Sequence, residues 1–126
     1  METKQMPNLS QFYGTEQYHK LTMGNLKFTD GWKHIATELG AFWLADIIGS
    51  VQNLPKIKKN NSFIVWRIVV EDNKKAIVYA HSDVEDDGSY SKKKELYNQK
   101  ITLTDFPKGT FLWYQCDDVI LLVGEY

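Results

Sequence analysis

The stretch TDGWKHIATELGAFWLADIIGSVQ, Thr29 to Gln52, decides the fold, because it reads as two consecutive helices with no catalytic signature on either. In its first half Asp30 is placed to cap a helix. Trp32, Ile35, Ala36 and Leu39 then fall at i, i+3, i+4 and i+7, the spacing of one buried face. Gly40 stops that helix. The second half carries Ala41, Phe42, Trp43, Leu44, Ala45, Ile47, Ile48 and Val51, so apolar residues cover most of its circumference and it belongs under other elements. Its polar strip is Asp46, Gly49, Ser50 and Asn53, on one side of the helix and expected to meet solvent or bond locally.

Beyond Gln52 the periodicity changes. Leu54 to Asn61, LPKIKKNN, reads as a polar connector. Ser62 to Glu71, SFIVWRIVVE, is then rich in β-branched and aromatic residues, with Ile64, Trp66, Ile68 and Val70 on one face of a strand and Phe63, Val65, Arg67 and Val69 on the other. Asp72 to Lys75 supplies a turn and Ala76 to His81 an antiparallel return. After the polar stretch Ser82 to Glu95, three more strands are expected near Gln99 to Thr104, Thr110 to Gln115 and Val119 to Val123. They are joined by turns at Phe106 to Gly109 and Cys116 to Asp118. Val119 to Val123 reads as an edge strand to which a second copy could add, and the sequence leaves the oligomeric state open.

Helices and strands segregate along the chain, which defines an α+β class: two consecutive helices packed on one face of an antiparallel sheet of about four to five strands. Phe42, Trp43, Trp66 and Trp113 are expected between the layers. Residues 1–126 make one domain, with an N-terminal arm over 1–25, the helix pair over 29–53 and the meander over 62–123. Within the arm, Phe12, Tyr13 and Tyr18 call for docking sites, and Leu26 to Thr29 reads as a short strand.

Apolar residues make up 43% of the 126, which is enough for a folded core, and the formal charge of −1 gives no net attraction to nucleic acid or acidic membranes. The single cysteine, Cys116, excludes an internal disulfide framework and a Cys-based zinc cluster, and fits a reducing, cytoplasmic address. No run approaches the roughly 18 apolar residues of a membrane span.

Asp83, Glu85 and Asp87 with Gly88 stand at positions 1, 3, 5 and 6 of a calcium-type loop, but position 12 is Lys94 rather than glutamate, so the segment reads as a solvated hairpin loop. Its acidic run, Asp83, Glu85, Asp86 and Asp87, reverses to Lys92, Lys93 and Lys94 and can pair with itself. Lys56, Lys58 and Lys59 form a basic cluster, and join Lys74 and Lys75 in one phosphate- or nucleic-acid-binding patch if the connector and the first hairpin turn share an end of the sheet. Arg67 is the only arginine, which argues against base-specific reading of DNA. Mid-strand among apolar neighbours, it must reach solvent, pair with a carboxylate or hold a ligand.

His19, His34 and His81 show no metal-ligand spacing, and no phosphate-binding loop, dinucleotide fingerprint or nucleophile elbow is present. No catalytic residue, metal or cofactor is assigned. Aromatic density makes the case for recognition: Phe111, Trp113, Tyr114 and Tyr126 crowd the C-terminal strands, while Tyr79 and Tyr90 border the polar loop.

The segments LSQFYGTEQYH (Leu9 to His19), Thr29 to Gln52, LTDFPKG (Leu103 to Gly109) and the terminal LLVGEY resemble an uncharacterised family of small proteins encoded by bacteria, phages and plasmids. Val123 and Gly124 depart from that pattern, which has a proline before the final Glu-Tyr. The resemblance implies a provenance in which small proteins serve as accessory factors or inhibitors of host defence.

The expected function is therefore a non-enzymatic module binding a protein partner, a host or defence protein, through Tyr90, Tyr114 and the loop residues Asp83, Glu85, Asp86 and Asp87. One alternative is a nucleic-acid or nucleotide binder using the lysines. The other is a small enzyme without a recognised motif, built on Asp46 or His34.

Overall fold

The computed structural model describes residues 18–20 and 26–126 of the chain. The expected N-terminal arm, including Phe12 and Tyr13, lies outside the described residues except for its strand at 18–20.

Strand β1 (Tyr18–Lys20) pairs antiparallel with β2 (Lys27–Thr29), which leads directly into helix α1 (Asp30–Leu39). The cap of α1 is Thr29 rather than the expected Asp30. The Thr29 backbone is extended, and its Oγ1 accepts the Trp32 N–H at 3.4 Å, while Asp30 stands inside the first turn. Trp32, Ile35, Ala36 and Leu39 form the buried face as their spacing requires. Gly40 closes the helix at φ 59°, with Gly40 N–H donating to Thr37 O and Ala41 N–H to Ala36 O, the paired bonds of a Schellman motif.

Helix α2 (Phe42–Ser50) buries Leu44, Ala45, Ile47 and Ile48. Its polar strip faces solvent: Asp46, Ser50 and Asn53 are exposed, and the Ser50 hydroxyl donates to Ile47 O at 2.8 Å. Phe42, expected between the layers, is 45% exposed on this outward side, and Trp43 is only half-buried. Their places in the core go to Phe28, Trp32 and Phe106. The connector contains a third helix, α3 (Pro55–Asn60), that the sequence reading missed. Pro55 opens it, where its missing N–H has no partner to lose, and one residue, Ile57, is fully buried under the sheet.

The remaining strands are β3 (Ile64–Val70), β4 (Ala76–His81), β5 (Glu95–Ile101), β6 (Gly109–Cys116) and β7 (Val119–Leu122). The α and β content is as expected, but where an antiparallel sheet of four or five strands was expected, the described residues build a mixed sheet of seven in the order β1-β2-β7-β6-β3-β4-β5. The difference comes from the N-terminal segment. Strand β2 adds in parallel to β7, with Lys27 opposite Val119 and Phe28 opposite Ile120. This turns β7, read as an edge, into an interior strand. Among the described strands the outermost are β1 and β5, and β5 begins at Glu95, earlier than its expected start, within the segment assigned to the polar loop.

On the helix side, Ile64, Trp66, Ile68, Val70, Val78, Ala80, Trp113 and Ile120 pack with the buried residues of the three helices. Trp66 and Trp113 are direct cross-strand partners, stacked at 6.3 Å, and Trp32 meets Trp113 edge-on at 6.2 Å. Aromatic contacts continue from Phe28 through these rings to Phe111 and Phe106. A polar clasp closes one end of the layer: the wholly buried Gln115 accepts the Trp66 indole N–H at 3.0 Å and exchanges amide bonds with Gln52 just past α2.

Candidate functional site

The period of two along a strand sends Val65, Arg67 and Val69 to the face opposite the helices. Register places Ile77, Tyr79 and His81 beside them on one side, and Thr110, Leu112 and Tyr114 on the other. The three helices bury their apolar residues against the other side of the sheet. This face is instead covered in part by two clusters of aromatic side chains.

Arg67 organises the first cluster. Its guanidinium carbon lies 4.4 Å from the centre of the Tyr79 ring and 4.1 Å from that of Tyr90, so the cation is held between two π faces. Tyr79 is its direct cross-strand neighbour, while Tyr90 arrives from the long β4–β5 connection, which folds back over the sheet. His81 completes the group, 5.1 Å from Tyr90 and 5.9 Å from Tyr79. Burial and the nearby Arg67 charge push the His81 pKa below its usual value, against an opposing pull from Glu95. Arg67 Nε and His81 Nδ1 are both buried without a hydrogen-bond partner among the described residues. Stacking between two tyrosines at a sheet face is an arrangement outside the expected alternatives of solvent, a carboxylate or a ligand.

The second cluster is a triad of Phe63, Tyr114 and Tyr126, with ring centres 5.0 to 5.4 Å apart. Tyr126 is 75% exposed and Tyr114 half-buried, so the triad presents aromatic surface outward.

Of the residues singled out for partner binding, Tyr90 and Tyr114 therefore share this face, one in each cluster. The acidic residues are mostly turned toward their own loop. Asp83 accepts the Val84 N–H and Asp87 the Ser89 N–H, while Glu85 accepts the Ser91 hydroxyl and pairs with Lys94 at 3.5 Å. The Ser91 bond and the Lys94 charge hold Glu85 below its ordinary pKa, and bonds from Ser89 do the same for Asp87. The expected self-pairing of the charge reversal is thus seen at Glu85 and Lys94. Asp86 is exposed beside them.

The lysines divide into two groups. Lys56, Lys58 and Lys59 stand on α3, which runs into the start of β3, and Lys74 and Lys75 lie on the turn beyond its far end. A strand of seven residues, about 20 Å long, lies between the end of α3 and the turn, so the two groups flank opposite ends of β3 rather than sharing one. Asp46 is exposed on α2 and His34 half-buried on α1. Among the described residues, no three of His, Cys, Asp and Glu gather as metal ligands would.

Sequence reading named Arg67, Tyr79 and Tyr90 without joining them, and placed Phe63 only on a strand face. The isolated charge in an apolar strand was the signal; its partners depend on register and on the return of a loop.

A shallow groove of about 330 Å³ continues this face toward the β3–β4 turn. Val69, Ile77 and Tyr79 line it together with Glu71, Lys75 and Lys100.

The chain belongs to a family of unknown function (DUF6876), whose family model matches residues 3–126. Searches of curated proteins and of solved structures found no match. Among the described residues, no helix is long and apolar enough to cross a membrane.

Proposed function

We propose that the protein is a non-enzymatic binding module that holds a protein partner on the face of its sheet opposite α1, α2 and α3. The observation that carries this reading is the pairing on one face of Arg67, flanked by Tyr79 and Tyr90, with the triad of half-buried Phe63 and Tyr114 and exposed Tyr126. Tyrosine and arginine dominate the energetics of protein interfaces, because each offers a large contact area with a polar end that bonds at the rim. Here they surround half-buried aliphatic residues, Val69, Ile77 and Leu112, and the charged β4–β5 loop supplies a polar margin. In line with the resemblance to small phage and plasmid proteins, the partner we propose is a host protein, with a component of bacterial defence as the first candidate.

The test is capture from a host lysate with the tagged chain, a nuclease-treated duplicate, and a Tyr114→Ala/Tyr126→Ala variant whose melting is first checked. A stoichiometric protein that survives nuclease and is lost with the variant is expected. Recovery of nucleic acid alone, or equal capture by the variant, would remove this reading.

A further inference from the structure

The groove next to Arg67 has the lining of a small-ligand site rather than of a flat contact. Its floor is made by Val69 and Ile77, direct partners across β3 and β4, and its wall by Tyr79, whose cross-strand partner is Arg67. Lys100, opposite Ile77 on β5, and Lys75, at the β3–β4 turn, stand at its margin. Both lysines are exposed, and neither joins an ion pair among the described residues. Glu71 is the one carboxylate in the lining, while the neighbouring Asp72 is already paired with Lys108. The margin therefore carries two cations against one anion, with the Arg67 guanidinium one register row away on the same face. At about 330 Å³ the groove lies at the small end of the roughly 300 to 1,000 Å³ found for ligand sites.

We propose that this groove binds a small organic monoanion, a carboxylate carried on an aliphatic body. The chain lies over Val69, Ile77 and the Tyr79 ring, where burial removes apolar surface from water. The carboxylate faces Lys75 and Lys100, and the excess of positive charge rejects a cation of the same length. The groove shares Val69, Ile77 and Tyr79 with the face proposed for the partner, but its selectivity rests on Lys75 and Lys100, which the partner reading does not use, so either can fail without the other.

Octanoate, octanol and octylammonium, which share an aliphatic body and differ in charge, separate the contributions. Each is titrated into the isotopically labelled full chain and followed by NMR. Octanoate is expected to give saturable shifts at Val69, Ile77, Tyr79 and Lys100, with affinity at least about tenfold above that of the other two. The exposed positions allow a Lys75→Glu/Lys100→Glu double variant to keep the fold, which its amide spectrum verifies. It should lose that preference, and Lys75→Arg/Lys100→Arg should restore it. Octanol binding as tightly as octanoate, shifts that never saturate, shifts that map away from the groove, or an unchanged preference in the Glu variant would each overturn the proposal.

Discussion

Gln52 and Gln115 hold each other through both halves of their amides: Gln52 Nε2 donates to Gln115 Oε1 at 3.1 Å, and Gln115 Nε2 donates to Gln52 Oε1 at 2.8 Å. The pair ties the end of the helical segment to β6, and each member makes further bonds. Gln52 reaches back to Ile48 O, while Gln115 donates to Asp117 O and accepts from Trp66. Because Gln115 is fully buried, each of its polar atoms depends on these partners. Replacing Gln115 by Leu strands the Trp66 indole N–H and the Gln52 amide, and a loss of about 2–3 kcal/mol is expected. Gln52→Ala should cost less, about 1 kcal/mol, since the solvent-facing side of the pair can rehydrate. Urea unfolding of both variants and of the double variant checks the order. Additive losses would contradict a coupled pair.

A second long-range clasp joins the start of α1 to the chain's last residues. The Glu125 carboxylate accepts from the Thr29 hydroxyl, from Gly31 N–H at 3.3 Å and from Leu122 N–H at 3.0 Å. It therefore places an anion at the N-terminus of the helix, where amide donors are unfilled. Glu125→Ala should destabilise by about 1–2 kcal/mol, and only the share carried by the Thr29 hydroxyl should vanish in a Thr29→Val background, where the Gly31 and Leu122 N–H bonds remain. A thermal-denaturation cycle measures this.

Gly31 makes the clasp possible by having no side chain. A Cβ there would lie 2.6 Å from Leu122 Cδ1 and 2.8 Å from Glu125 Oε1. Gly31→Ala, which in an exposed helix would stabilise, should here destabilise by about 1–3 kcal/mol as Leu122 and Glu125 are displaced. A raised melting temperature would show that both side chains move aside freely.

His81 should make stability depend on pH in one direction. Burial and the Arg67 charge lower its folded pKa, so between the folded value and the unfolded value, about 6.5, the unfolded chain binds more protons. Its contribution is then complete above about pH 6.5 and declines as the pH falls through the lowered folded value. Melting curves between about pH 5 and 8 should show this slope, and His81→Gln should flatten it. A slope unchanged in the variant would assign it to the carboxylates.

Asp117 occupies a left-handed conformation, φ 56°, in the two-residue turn between β6 and β7. Its contacts in the Gln52–Gln115 clasp use only the backbone carbonyl, so Asp117→Gly should stabilise by about 0.5–1 kcal/mol, by relieving the turn without touching the clasp. The same change should ease ionisation of Cys116, whose thiol pKa is raised by burial and by Asp117. Alkylation rates against pH give the second readout.

The sequence alone determined the elements whose burial pattern is local. Trp32, Ile35, Ala36 and Leu39 declare the inner face of α1 because helical spacing fixes which side chains share a side. Gly40 declares its end because only glycine takes that left-handed closure without steric cost. The β3–β4 hairpin was equally legible, since alternation and a turn-forming run define it within one short segment. Helix α3 was hidden because its single buried residue, Ile57, leaves no periodic stripe.

Only the tertiary structure decided that β2 pairs with β7, that Phe42 faces outward while Phe106 goes in, and that Arg67 is held by Tyr79 and Tyr90. Each of these joins residues distant in sequence. Backbone pairing accepts any strand of suitable direction, and an aromatic ring packs in many places, so the choice belongs to the chain as a whole. What one stretch of sequence fixes is the face a residue turns. Which neighbour it meets there depends on how all the faces close together.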